Sequence, residues 1–219
     1  LTVDGVGEWA TCTLAHGKGK SLELLEEVRF PHSLGLLYST LTGYLGFRVN
    51  SGEYKVMGLA PYGEPTRMEE MRKLIDLKAD GSFAMDMSYF AYAGGLRMHR
   101  RKLVDLFGLP VRKPEEPVTQ AHHDIARSLQ LITEEAMLGL ARAAHKKTGA
   151  NALCLAGGVA LNCVANGRIL REGPFEHVYV QPAAGDAGGA IGAAAYVAHS
   201  VYGDPRSEMP HAYLGPEYS

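Results

Sequence analysis

An α/β fold built on a parallel or mixed sheet is predicted for this chain by three features. From residue 119 onward the hydrophobic pattern reads helix, strand, helix, strand, helix, an alternation that argues for strands flanked by helices. The apolar run Leu153–Ala156 enters Gly157–Gly158 and then a second helical stretch, which is a buried strand delivered through a tight turn into a helix. Gly185-Asp186-Ala187-Gly188-Gly189 repeats that arrangement after the strand Val178–Val180 and opens a last, small-residue helix through about His199. In such sheets ligand-binding groups collect at the strand ends.

Each element has a local reason. Leu1-Thr2-Val3 reads as a strand met already in progress, as in a domain excised from a longer polypeptide, with a turn at Asp4-Gly5-Val6-Gly7. Residues 8 to 15 are rich in strand formers, and Gly17-Lys18-Gly19-Lys20 turns them back on Ser21–Glu26 as a hairpin. Ser33 is a candidate N-cap for a helix from Leu34 to Leu45. The stretch 52–63 carries three glycines and Pro61, which predicts a structured loop holding Lys55. Glu69 to Leu77 reads as a helix, Asp80-Gly81 as a turn, Ser82–Met87 as an outer strand, and His99–Leu106 as a short helix closed by Gly108 and Pro110. Arg112-Lys113-Pro114-Glu115-Glu116-Pro117 is charged and proline-bearing, and reads as a linker between a hairpin, loop and insertion region (1–117) and an αβαβα nucleotide-binding lobe (118–219). In the helix after Thr119, Ala121, Ile125, Leu129, Ile132, Ala136, Leu140 and Ala143 recur every three or four residues until Gly149. Adjacent His122 and His123 near its start diverge by about a hundred degrees and cannot grip one metal together. A further helix runs from about Leu161 to Glu172, stopped by Gly173-Pro174.

Composition narrows the function classes. With 46% apolar and 21% charged residues the chain can bury a core, and a net charge of -2 gives no general attraction for nucleic acid or anionic lipid. No apolar segment reaches membrane-spanning length and no secretory signal opens the chain, so a cytoplasmic location is expected. Cys12, Cys154 and Cys163 form no Cys-x-x-Cys pair and read as reduced, mostly structural thiols.

Candidate site residues follow from turn chemistry. Gly157 and Gly158 permit close backbone approach, and the amides opening the next helix, Val159 included, point a positive dipole end at the turn, which suits a phosphate. Asn162 is the better placed of Asn162 and Asn166 to touch such a ligand, and Gly185 flanks it from the neighbouring strand. Asp4 and Asp186 are carboxylates at two strand ends. Lys55 is a candidate contact to a phosphate or carbonyl oxygen, and His32 a candidate acid or base.

Three ordered motifs, Leu155-Ala156-Gly157-Gly158-Val159-Ala160-Leu161-Asn162-Cys163, Lys55–Gly63 and Gly185–Ala194, closely resemble the O-carbamoyltransferases of nodulation and antibiotic biosynthesis. The terminal Tyr213-Leu214-Gly215-Pro216 resembles the point where that family passes from its first catalytic domain into a YrdC-like domain. The resemblance implies an actin, sugar kinase and heat-shock ATPase-like (ribonuclease H-like) fold, incomplete at the N-terminus. It implies an ATP-dependent activity in which the YrdC-like domain of the same polypeptide makes carbamoyladenylate from carbamoyl phosphate. The domain resembling this chain then passes the carbamoyl group to a hydroxyl of a sugar, lipo-oligosaccharide or antibiotic. Mg with ATP is implied too. So is an iron-type divalent cation, held in the family by a His-x-x-x-His pair and by aspartates matching Asp4 and Asp186.

This chain departs from that pattern. None of its nine histidines stand four residues apart, so the imidazole half of the metal site is missing, as are the family's glycine-rich phosphate segment before Asp4 and a YrdC-like domain. A weakened metal site is expected, with no complete transfer cycle from this chain alone. Two alternatives stay open. One is a sugar kinase or tRNA threonylcarbamoyladenosine-type ATPase of the same superfamily. The other is a nucleotide-binding module without independent activity.

Overall fold

Strand β1 (Thr2–Gly7) runs through the middle of a mixed sheet. The computed structural model that shows it describes residues 1–206, 208, 209, 211–213 and 215–218, so Leu214 of the Tyr213–Pro216 motif lies outside the described residues. On one side β1 pairs antiparallel with β2 (Ala10–Lys18), which pairs antiparallel with β3 (Ser21–Arg29). On the other side the Leu1 ammonium donates to the Cys154 carbonyl at 2.9 Å, Ala156 N–H to the Leu1 carbonyl at 3.1 Å, and Val3 N–H to the Ala156 carbonyl at 2.9 Å. These bonds join β1 to the parallel pair β6 (Ala152–Leu155) and β7 (His177–Val180). The α/β class and the mixed sheet agree with the expectation.

The expected turn at Asp4 is not one. The strand continues to Gly7 with a register shift between Val3 and Gly7, and the chain reverses at Glu8-Trp9, where Glu8 takes a positive φ of 55°. Asp4 thus lies inside β1. The β2–β3 hairpin forms as expected, with Lys18 paired to Ser21 around Gly19-Lys20.

Ser33 caps α1 (Leu34–Tyr44) as the sequence suggests, accepting the Leu36 N–H at 3.0 Å. Its hydroxyl also donates to the carbonyls of Gly5 at 2.6 Å and Asp4 at 3.1 Å, so the cap fastens the helix to β1. Gly35 allows this contact: a Cβ there would stand 2.6 Å from the Asp4 carbonyl carbon and oxygen.

The predicted loop at 52–63 is instead helix α2 (Glu53–Leu59) followed by a 3₁₀ turn at Ala60–Tyr62. Glu53 takes up the donors of its first turn, accepting from Asn50 N–H at 3.0 Å and Gly52 N–H at 3.1 Å, while Val56 is fully buried. Pro61 sits at the start of the 3₁₀ turn, where a missing N–H removes no bond. Helix α3 (Met68–Leu74) ends earlier than predicted because Ile75–Leu77 is strand β4, paired with β5 (Phe83–Met85). Helix α4 (Arg101–Phe107) stops at Gly108 in the left-handed conformation.

The 112–117 stretch is not a free linker. Arg112 is 5% exposed; its guanidinium donates to the carbonyls of Leu45 and Glu116 and stacks 4.9 Å from the Phe47 ring centroid. Helix α5 (Gln120–Thr148) follows the predicted periodicity, with Ile125, Leu129, Ile132, Ala136 and Ala141 buried against one core that also holds Val3, Leu37, Leu41, Leu153 and Leu155. At roughly 1.5–3 kcal/mol per fully buried large side chain, this face holds α5 far more firmly than helix propensity would.

After β6, residues Gly158–Leu161 form a 3₁₀ turn, and the chain breaks at Asn162 before α6 (Cys163–Glu172). A second 3₁₀ turn, Asp186–Gly188, leads into α7 (Gly189–Tyr196) and a π-helical end at Val197–Tyr202, none of whose residues is buried. Among the described residues no helix is long and apolar enough to cross a membrane. All three cysteines are free thiols, but only Cys12 is buried, where desolvation raises its pKa to about 11; Cys154 and Cys163 are exposed, since β6 and α6 turn those positions outward.

Candidate functional site

A cleft of about 540 Å³ opens where β1, α1, α2 and the two glycine turns meet. Asp4, Gly158, Val159, Asn162, Gly185 and Asp186 all line it, residues brought together from both ends of the sequence. Leu36, Tyr38, Tyr54, Met57 and Leu161 give it an apolar and aromatic side. His32, Lys55 and Gly157 do not line it.

Asp4 is held in a fixed orientation. Its Oδ1 accepts the Gly5 N–H at 2.8 Å and the Gly158 N–H at 2.9 Å. The two glycines of the turn divide their work. Gly157 has φ of 93°, and a Cβ there would lie 2.3 Å from the Val3 carbonyl oxygen, so glycine is what lets β1 lie against the turn. Its N–H donates to the Ala184 carbonyl at 2.7 Å. Both glycine amides are therefore bound within the protein rather than presented to a ligand.

Asn162 stands at the mouth of α6, where its Oδ1 accepts the Ala165 N–H at 3.0 Å and caps the helix. Behind it, Tyr38 donates to Gln130 at 3.1 Å; burial, then the nearby Glu53 and Glu134, pushes the Tyr38 hydroxyl well above the ordinary tyrosine range, so it remains a donor. Sequence reasoning passed over Tyr38, Glu53 and Gln130. The one signal for Gln130 was a polar residue beside Leu129 on a helix whose neighbouring positions are apolar.

His32 is engaged elsewhere: its Nδ1 accepts the Met85 N–H at 3.0 Å and its carbonyl accepts the Thr11 hydroxyl at 2.5 Å. Lys55 projects from α2 into solvent, 6.0 Å from the Tyr54 ring centroid.

The lining carries three carboxylates, Asp4, Glu53 and Asp186, and no lysine, arginine or histidine among the described residues. Such a surface repels a bare phosphate and attracts cations. Two carboxylates beside a phosphate chain suit magnesium, which keeps several waters and takes few protein ligands. An iron-type ion fits poorly: imidazole is absent from the lining, and no three His, Cys, Asp or Glu side chains among the described residues gather closely enough to hold a metal.

The sequence profile described as "Carbamoyltransferase N-terminus" matches residues 1–195. The chain belongs to the carbamoyltransferase N-terminal family. NolO, a nodulation protein of Bradyrhizobium diazoefficiens, is 40% identical over 222 residues, covering 99% of this chain and 38% of NolO. NolNO, a nodulation protein of Sinorhizobium fredii, is 38% identical over 224 residues, covering 99% of this chain and 30% of NolNO. The protein "Uncharacterized protein sll1178" of Synechocystis is 56% identical over 225 residues, covering 100% of this chain and 37% of that protein. This carbamoyltransferase N-terminal chain thus spans 30% to 38% of the length of these relatives.

Proposed function

We propose that this chain supplies the nucleotide-holding cleft of an ATP-dependent O-carbamoyltransferase. In this reading the carbamoyl group passes from carbamoyladenylate to a hydroxyl of a sugar, lipo-oligosaccharide or antibiotic. The observation that carries the reading is the meeting of Asp4, Gly158, Asn162 and Asp186 in one cleft of a carbamoyltransferase family member. Leu36, Tyr54 and Leu161 would receive the nucleoside on the apolar side, and Asp4 and Asp186 would hold magnesium at its phosphates. When bound, magnesium neutralises phosphate charge and orients the leaving AMP.

The chain's own part is to bind and orient. Asp186 has no hydrogen-bond partner for its carboxylate among the described residues, and one oxygen of Asp4 is likewise uncommitted, so both are free to act at the phosphates. The glycine turn shapes the cleft instead of donating to the ligand. His32 and Lys55 have no place in this reading. The carbamoyladenylate comes from carbamoyl phosphate and ATP on a YrdC-like domain of the same polypeptide, in the cytoplasm. The described helices and strands are read as part of a ribonuclease H-like, actin and sugar kinase-related fold, and the reading uses no iron-type centre.

Isothermal titration of ADP with and without magnesium tests the binding half. Assay of the intact gene product with carbamoyl phosphate, ATP and candidate sugars tests the transfer. Magnesium-dependent ADP binding and a carbamoylated product support the reading. Binding without any product in the intact protein would leave a nucleotide-binding module, and no binding would remove the nucleotide assignment.

A further inference from the structure

Behind the cleft wall lies a polar network of which the reading above uses only Asn162. Gln130 of α5 is 1% exposed and does not line the cleft. Its carboxamide meets that of Asn162 in a reciprocal pair: Gln130 Nε2 donates to Asn162 Oδ1 at 3.0 Å, and Asn162 Nδ2 donates to Gln130 Oε1 at 2.9 Å. The pair is polarised at both ends by groups that act in one sense only. The Ala165 N–H must donate, and it claims Asn162 Oδ1 at 3.0 Å. The Glu134 carboxylate, bound to Arg168 at 3.3 Å, must accept, and it claims Gln130 Nε2 at 3.1 Å. Tyr38, kept protonated by burial, donates to Gln130 Oε1 at 3.1 Å. Turning either amide over would set donor against donor and acceptor against acceptor.

The arrangement leaves one group over. Asn162 uses its Oδ1 for two bonds and one Nδ2 proton for a third, while its second Nδ2 proton has no partner among the described residues. Asn162, 8% exposed, lines the cleft. A donor at that wall calls for an acceptor atom on whatever occupies the space.

We propose that Gln130 is a positioning residue for ligand binding: it locks the Asn162 carboxamide so that the remaining Nδ2 proton serves an acceptor atom of the nucleotide, with Glu134 and the Ala165 N–H fixing the sense of the lock. The ligand's identity rests on the proposed function; the lock itself does not. Asn162 touches the ligand, and Gln130 acts only through it.

A double-mutant cycle read by magnesium·ADP titration separates this role from ordinary core packing. Asn162→Asp keeps an oxygen for the Ala165 cap but removes both Nδ2 protons, and Gln130→Met removes the lock. Each is expected to weaken binding about five- to tenfold, the scale of one hydrogen bond. The double variant is expected to be no weaker than Asn162→Asp alone. Additive losses, or unchanged affinity in Gln130→Met, would overturn the proposal. A second measurement needs no ligand and no variant: the Asn162 side-chain NH2 protons in the wild-type NMR spectrum. Slow rotation and slow solvent exchange there support the lock; free exchange like that of a surface asparagine overturns it. Should the lock be seen while magnesium·ADP does not bind, the nucleotide assignment fails and the positioning of Asn162 stands.

Discussion

One oxygen of Asp4 accepts the amides of both Gly5 and Gly158, at 2.8 and 2.9 Å, and so ties the first strand to a turn 154 residues away. The same residue carries charge into the cleft. Structure and charge can be separated by substitution.

Asp4→Asn retains an oxygen acceptor and is expected to unfold within about 1 kcal/mol of wild type, whereas Asp4→Ala loses both bonds and about 1.5–3 kcal/mol. Urea denaturation measures both. Each variant should weaken magnesium-dependent ADP binding. A variant as stable as wild type that also bound magnesium·ADP normally would remove Asp4 from the site.

The two glycines of the turn should respond unequally. Gly157→Ala forces a side chain into positive φ and against the Val3 carbonyl at 2.3 Å, a backbone clash that we expect to destabilise by about 3 kcal/mol or more. Gly158→Ala meets only the Asp4 carboxylate oxygen at 3.0 Å. It should leave the melting temperature within a few degrees while narrowing the cleft. Equal destabilisation of the two would contradict the division of work between them.

The acidic lining leads us to expect a steep cation dependence. EDTA should abolish ADP binding, and Asp186→Ala should lower magnesium·ADP affinity about tenfold without changing stability, since among the described residues no bond to the Asp186 carboxylate holds the fold. Metal-independent ADP binding at comparable affinity would show that the phosphates do not sit against these carboxylates.

Acid should loosen the start of α5. The Nδ1 of His122 accepts the Thr119 N–H at 3.0 Å, and burial, followed by the charges of Arg112 and His123, lowers its pKa against the opposing pull of Glu116. A histidine whose pKa is depressed on folding binds fewer protons folded than unfolded. Its contribution is present above the ordinary value of about 6.5 and is lost as pH falls from there through the folded pKa. Urea unfolding at pH 7 and pH 5.5 should show the decline. His122→Gln, which can still accept the Thr119 N–H, should flatten it. Some slope will persist, because burial and Arg97 depress His99 in the same direction.

Local chemistry in the sequence accounts well for α5, the Ser33 cap and the β2–β3 hairpin, where period, cap and turn residues agree. It misleads at α2, because glycines and Pro61 read as loop punctuation while the burial of Val56 and the bonds to Glu53 decide the matter. Arg112 misleads in the same way: charge beside proline reads as a tether, and only the folded chain shows the carbonyls and ring waiting for its guanidinium. Within the site, Asp4 reads as a strand-end carboxylate although it lies inside β1, while the glycine turns made Gly158 and Asp186 legible. Gln130 and Tyr38 were not, since their meaning lies in what they face across helices 32 and 92 residues apart in sequence.

Helix α7, beginning three residues after Asp186, buries none of its side chains, while the opposite wall at Asp4 and Gly158 is stitched into the central sheet. An eight-residue helix without buried side chains has little free energy of its own, so its amides are expected to exchange with solvent before those of the sheet. The Asp4 wall opens only when the sheet itself comes apart. The two walls of the cleft are thus expected to differ in local stability, with Asp186 on the side that loosens first.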